Sequence, residues 1–377
     1  MTLVFTLYKY FPYGGLQRDM LAIAQACTAL GLTVKIVCAE WQGDKPEAIS
    51  VAILPTQGCS NHARNRLFAQ KLQAYLRQDK PALVVGFNKM QGLDIYYAAD
   101  TCFKAKLQQE RWPLLTFLPR YRQFLADEAA VFGADSRTKI LAISARSVEE
   151  YEHYYPHIKS RCTLLPPGIN RNRKAGNDAA DIRAAFRRDW CLTQEQRLLL
   201  MVGSGFRTKG VDRALHALAA LPTALLQRSR MIVIGQDKAA PFMRLAKKLG
   251  VSERVLFLAG RNDIPHFLLG ADVLLHPARR ENTGTVLLEA AVAALPVLAT
   301  AVCGYSHYIA EHNLGLVTPE PFQQRALNGQ LAHMLSDDAQ RAAWAKNALD
   351  FASRADIYSL HQRAAECIAR AAASAAL

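Results

Sequence analysis

PARRENTGTVLLEA, residues 277–290, follows one apolar run, ADVLLH (271–276), and opens another, TVLLEAAVAA (285–294). The first is short enough for a buried strand and the second long enough to begin a helix, with Gly284 at the junction. Strand, polar loop with glycine, then helix is the unit from which open α/β sheets are built. It turns the unpaired backbone N–H groups of a helix start toward an anion. Two carboxylates flank the turn, Glu281 in the loop and Glu289 about one turn inside the helix. On a single helix, residues eight apart stand about 80° apart around the axis; with one in the loop, the pair brackets whatever sits at the helix N-terminus. On residue types alone, a dipole-favoured charge at 281 and a solvated helix residue at 289 are an equal alternative.

The same alternation runs outward in both directions. Downstream of residue 181, strand-like runs fall at 198–203, 231–235, 255–259, 273–276, 297–301 and 316–318, with helical segments such as 211–220 and 241–249 between them. Upstream they fall at 3–8, 34–39, 51–55, 83–87, 95–99, 140–144 and 163–165. Short, continuously apolar strands separated by helices predict parallel sheets covered on both faces. Pro166-Pro167-Gly168 and the polar stretch that follows mark a boundary. The expected fold class is α/β, with two doubly wound Rossmann-like domains at 1–168 and 169–355 and an Ala-rich helix within 356–377.

Composition narrows the function. The 377 residues are 51% hydrophobic, enough for two cores, and nothing reads as disordered. The chain opens directly on a strand-like segment with no basic region and cleavage site, and the longest apolar stretch, 290–303, is interrupted by Pro296. A cytoplasmic protein without a membrane span is expected. The eight cysteines are scattered without a C-x-x-C pair, which predicts buried thiols rather than metal ligands or disulfides. There is no D-x-D motif, and no metal or other cofactor is expected. The net charge of +14 points to an acidic partner, phosphate or an anionic membrane surface. It is shared between residues 1–165 (20 basic, 14 acidic) and the remainder (26 and 18) with no recognition helix, which argues against nucleic acid.

Further candidates sit at the C-terminal ends of predicted strands, where open α/β sheets bind ligands. Gly14 and Gly15 lead from the first strand into a helix. Asn88 and Lys89 follow the 83–87 run and are suited to phosphate or sugar, and Asp100, after the next run, to accepting a proton from a hydroxyl. The loop GSGFRTKG (203–210) carries Arg207 and Lys209 but lacks P-loop spacing; two cations there suit a diphosphate leaving group. Arg261, Asn262 and Asp263 end another strand, and Arg173 in the boundary stretch is a lesser phosphate candidate. Residues 103–124 mix Lys104, Lys106, Arg111, Arg120 and Arg122 with Trp112, Phe117 and several leucines, against one acid, Glu110. That composition predicts contact with an anionic membrane interface, the alternative being ordinary helices broken at Pro113 and Pro119.

ENTGTVLLEA resembles the E-x(7)-E signature of retaining glycosyltransferases of the GT-B fold, which have two Rossmann-like domains facing a central cleft. KYFPYGGLQRD (9–19), GFNKM (86–90) with GLD (92–94), and the AAD ending at Asp100 are similar to the bacterial lipopolysaccharide core glucosyltransferases. The resemblance covers the whole chain. It implies transfer of glucose from UDP-glucose to an inner-core heptose by a protein peripheral on the inner face of the bacterial inner membrane. It implies that Glu281 meets the sugar hydroxyls and Glu289 the ribose, within a donor loop that includes Asn282, Thr283, Gly284, Thr285 and Val286. Lys209 would hold the diphosphate, residues 261–263 the base, and Gly14 and Gly15 would lie beside the donor. The family's Arg-Lys pair is separated here by Thr208, which shifts Arg207 by one position. Rival readings are another nucleotide-sugar donor, a sugar-nucleotide epimerase, or a membrane-bound sugar-nucleotide sensor.

Overall fold

Every one of the thirteen apolar runs becomes a strand, and among the described residues every strand pairing is parallel. The computed structural model describes residues 1–12, 14–109 and 117–375. It divides into two compact units, Met1–Pro167 with Ser359–Leu377, and Gly168–Tyr358.

In the first unit the strands are β1 (Thr2–Tyr10), β2 (Thr33–Trp41), β3 (Ser50–Ile53), β4 (Leu83–Gly86), β5 (Ile95–Ala98), β6 (Lys139–Ala142) and β7 (Cys162–Leu164). They lie in the order β3-β2-β1-β4-β5-β6-β7. Strand side chains alternate between faces, so β1 serves two cores. Leu3, Phe5 and Leu7 pack with Met20 and Ile23 of the helix Gly15–Ala29 and with Ala364, Ile368 and Ala372 of the helix Leu360–Ala375, whereas Val4 packs on the other face with Phe68 and Leu72. The last helix of the chain thus covers the first sheet. It is tied down by His361 Nε2, 3.0 Å from Asp19 Oδ1, while the Tyr97 hydroxyl donates to Asp19 Oδ2 at 2.8 Å. This helix starts at Leu360, because residues 167–169 and 357–360 are held to each other by backbone bonds, Ile169 N to Ile357 O and Leu360 N to Pro167 O.

In the second unit β8 (Arg197–Val202), β9 (Ser229–Ile234), β10 (Val255–Leu258), β11 (Val273–His276), β12 (Val297–Thr300) and β13 (Gly315–Thr318) form a sheet in the order β10-β9-β8-β11-β12-β13. Asp272, just before β11, accepts from Leu198 N at 2.7 Å, Arg183 Nη2 at 2.6 Å and Arg187 Nη1 at 3.1 Å. That carboxylate fixes the start of two strands to the helix Ala179–Asp189. In both sheets the order reverses beside the first strand, between β1 and β4 and between β8 and β11. A doubly wound sheet opens a crevice at such a switch point, beyond the strand C-termini. The loops that follow β8 and β11 are 203–210 and 277–284, the two that carry Lys209 and Glu281.

Candidate active site

The β8 and β11 loops are bound to each other by backbone. Arg279 N donates to Thr208 O at 2.8 Å, Arg213 Nη1 donates to Ala278 O at 2.9 Å, and the Thr300 hydroxyl donates to the same carbonyl at 2.8 Å. Arg213 also lies over the Phe322 ring, 3.6 Å from its centroid, and Arg279 pairs with Asp212. Gly210 makes the approach of the loops feasible. Its φ is +76°, and a Cβ there would stand 2.0 Å from Pro277 O.

Within this frame Lys209 Nζ pairs with Glu281 Oε2, and His276 Nε2 lies 3.1 Å from the same oxygen. His276 ends β11 with its side chain fully buried, and Glu281 is only 13% exposed. Burial pushes the Glu281 carboxyl up, but the hydrogen bond from His276 and the charge of Lys209 outweigh it and hold the group at about 2. Glu281 is therefore a carboxylate at neutral pH, a fixed acceptor for hydroxyl groups.

Gly284, with φ +76°, caps the helix Thr285–Val292 without a side-chain bond, so the first N–H groups of that helix are not covered by a capping oxygen. Thr283 is buried, its hydroxyl 3.3 Å from that of Thr285, and its carbonyl accepts from Tyr305 N at 2.7 Å. Val286 is packed against the core of the unit, while Thr285 is exposed and Asn282 half-buried. Glu289 faces Arg173, whose Nε is 3.5 Å from its Oε1. The Arg173 side chain is 12% exposed, and its Nε and Nη1 make no hydrogen bond among the described residues. Each glutamate thus has its own cation, and in the second pair the guanidinium keeps donors to spare. Arg207 is exposed beside Lys209; Arg261 forks onto Asp263 at 2.6 and 2.7 Å, next to an exposed Asn262. Among the described residues no cluster of His, Cys, Asp and Glu could hold a metal ion; all eight cysteines are free thiols, but the expected burial holds for Cys27, Cys38, Cys102 and Cys303, whereas Cys59 and Cys191 are exposed and Cys162 and Cys367 half-buried.

The remaining candidates belong to the first unit. Gly14 precedes the helix that begins at Gly15, and a Cβ at Gly14 would collide with Gln17, whose amide donates to Lys9 O. Asn88 Oδ1 accepts from Tyr8 N at 2.9 Å. Asp100 keeps an exposed surface, and the desolvation from its packed neighbours pushes its carboxyl up against the opposing charge of Lys89. Lys89, expected among the acceptor contacts, is turned inward instead. It pairs with the fully buried Glu128 at 2.7 Å and donates to Thr101 O at 2.9 Å. Glu128 also accepts from the backbone N–H groups of Phe103 (2.6 Å) and Lys104 (3.0 Å), so it caps the helix Phe103–Gln109 from a neighbouring helix. Lys89→Met strands that carboxylate and is expected to destabilise the first unit by about 3 kcal/mol, measured by urea unfolding.

Arg111, Trp112 and Pro113 lie outside the described residues. Around them, Pro119 starts the helix Pro119–Phe132 rather than breaking one. Phe103 packs on Tyr121 and Phe124, whereas Phe117 and Leu118 are exposed beside Arg120 and Arg122. Lys104 and Lys106 lie near the rings of Tyr155 and Phe103. Among the described residues no helix is long and apolar enough to cross a membrane.

The carboxylate, the lysine and the helix start lie at the switch point of the second sheet, and residues 183–351, which include all three, match the model of the glycosyl transferases group 1 family. Lipopolysaccharide glucosyltransferase WaaG of Escherichia coli (strain K12) is 44% identical over 368 residues, 98% of each protein. The crystal structure of WaaG, a glycosyltransferase involved in lipopolysaccharide biosynthesis, matches with a TM-score of 0.93 over 97% of this chain and 99% of that one. The chain belongs to this family of lipopolysaccharide glucosyltransferases. The fold is shared more widely: Anabaena HepE, solved in complex with UDP-glucose, has a TM-score of 0.74 at 19% identity, over 98% of this chain and 100% of that one.

His276 does not stand out in the sequence. The signal that marks it is a polar residue closing an otherwise apolar strand directly before the Pro277 loop.

Proposed function

We propose that the protein transfers glucose from UDP-glucose to a heptose of the lipopolysaccharide inner core, with retention of configuration, while lying on an anionic membrane surface at the cytoplasmic side. The observation that carries this reading is the Lys209–Glu281–His276 constellation at the β8/β11 switch point, in a chain that shares 44% identity with WaaG. The diphosphate sits against the start of the helix Thr285–Val292 and takes the Lys209 ammonium. Glu281 accepts from sugar hydroxyls, and Glu289, steadied by Arg173, accepts from the ribose.

In the transfer step the acceptor hydroxyl oxygen bonds to glucose C1 as the bond from C1 to the β-phosphate oxygen breaks. The hydroxyl proton passes to the departing phosphate oxygen on the same face, which releases UDP. Charge grows on the diphosphate as that bond breaks, so cations and helix N–H groups already in place stabilise the transition state more than the ground state. Phe117 and Leu118, exposed among basic residues, favour the membrane contact.

The test is transfer from UDP-glucose, UDP-galactose, UDP-N-acetylglucosamine and GDP-mannose onto lipopolysaccharide truncated after its heptoses. Turnover with UDP-glucose at least about tenfold above the other donors is expected, since a site built to bond particular hydroxyls rejects donors that misplace them. A different preferred donor, or UDP binding without transfer, contradicts the proposal.

A further inference from the structure

We infer that His276 is a positioning residue for Glu281, holding its Oε2 in place when the donor draws Lys209 away; the inference rests on the reading of Glu281 as the sugar-hydroxyl acceptor.

Lys209 and His276 both engage Oε2 of Glu281, but they differ in how firmly they are held. The Lys209 side chain is partly exposed, at 22%, and a lysine carries several rotatable bonds. The His276 side chain is wholly enclosed by protein, at the end of a central strand whose four residues are all buried. A diphosphate bound at the neighbouring helix start competes with Glu281 for the lysine ammonium. Once the ammonium turns, the imidazole remains as a hydrogen-bond donor to that carboxylate. The ring is also suited to a single orientation. Its Nδ1 is buried with no partner among the described residues, so Glu281 is the one hydrogen-bond partner that orients the ring, and the tautomer with its proton on Nε2 is the one that donates to it. His276 thus works through Glu281 and touches neither sugar nor phosphate.

The test compares two amides at 276. In His276→Gln the side-chain nitrogen falls near the place of Nε2 and can still donate to Glu281. In His276→Asn it falls near Nδ1, short of the carboxylate, while polarity and burial are similar. The readouts are kcat and KM for UDP-glucose, UDP affinity by calorimetry, and thermal unfolding.

The expected result is that His276→Gln keeps kcat within about fivefold of the parent while His276→Asn loses about a hundredfold, the scale of a carboxylate misplaced by about 1 Å. UDP affinity should stay within about twofold in both, because UDP carries no sugar for Glu281 to hold. Equal losses in the two variants, or losses of turnover matched by losses of UDP affinity, mean that the histidine only supports the fold and overturn the inference. Glu281→Gln is measured alongside: if it turns over normally, the reading of Glu281 itself fails, whereas a dead Glu281→Gln with an active His276→Asn defeats only the role of His276.

Discussion

Glu281→Gln is expected to lower kcat by a hundredfold or more and at the same time leave UDP affinity unchanged or raise it. The two effects have one cause. In the parent, the Glu281 carboxylate both accepts from the sugar and neutralises Lys209. The amide retains shape but offers a weaker acceptor, and a sugar shifted by about 1 Å costs on the order of 10² in rate. The lysine, released from its ion pair, is then free for the diphosphate, and a charge-assisted bond to phosphate is about twice as strong as a neutral one. Steady-state kinetics and calorimetry with UDP separate the two. A parallel fall in turnover and UDP affinity would mean that Glu281 shapes the loop and does no more.

Gly210→Ala is expected to have the larger effect on structure. The αL conformation at φ +76° costs a residue with a Cβ roughly 1–2 kcal/mol. Beyond that, the Cβ would stand 2.0 Å from the Pro277 carbonyl oxygen, a backbone atom that cannot swing aside. Relief requires the β8 and β11 loops to separate, which breaks the Arg279 N to Thr208 O bond and moves Lys209 from Glu281. UDP affinity should fall at least about tenfold and the second unit should unfold at lower urea, while the first unit, which has its own sheet, keeps its transition. Unchanged UDP binding in a folded Gly210→Ala protein would show that the loops are not coupled in this way.

How far this was legible in the sequence depends on where the information lies. The strands were readable because most are dominated by apolar residues between turn signals, as LVVG at β4 and RLLLMV at β8 show. The switch-point loops were readable because Gly284 and the Lys209-Gly210 pair close short polar loops between such runs and the next helical segment. Side-chain direction was not readable. Lys89 looks like any lysine after a strand, and its inward partners, the Thr101 carbonyl and Glu128, 39 residues away, are not marked in the sequence. Arg173 lies in a polar boundary stretch with nothing local to say that it reaches Glu289. His276 was hidden in the apolar strand it ends, because its partner Glu281 becomes its neighbour only when the 277–280 loop folds back, held by Arg213 and Thr300.

The most direct test of the central claim is the anomeric configuration of the sugar that the protein adds from UDP-glucose to heptose-truncated lipopolysaccharide, read by NMR on the purified product. Front-face transfer predicts a single new α-linked glucose on a heptose, because attack and departure share one face of the sugar ring. A β-linked glucose would require a base opposite the leaving group and would contradict front-face transfer at the Lys209–Glu281 site.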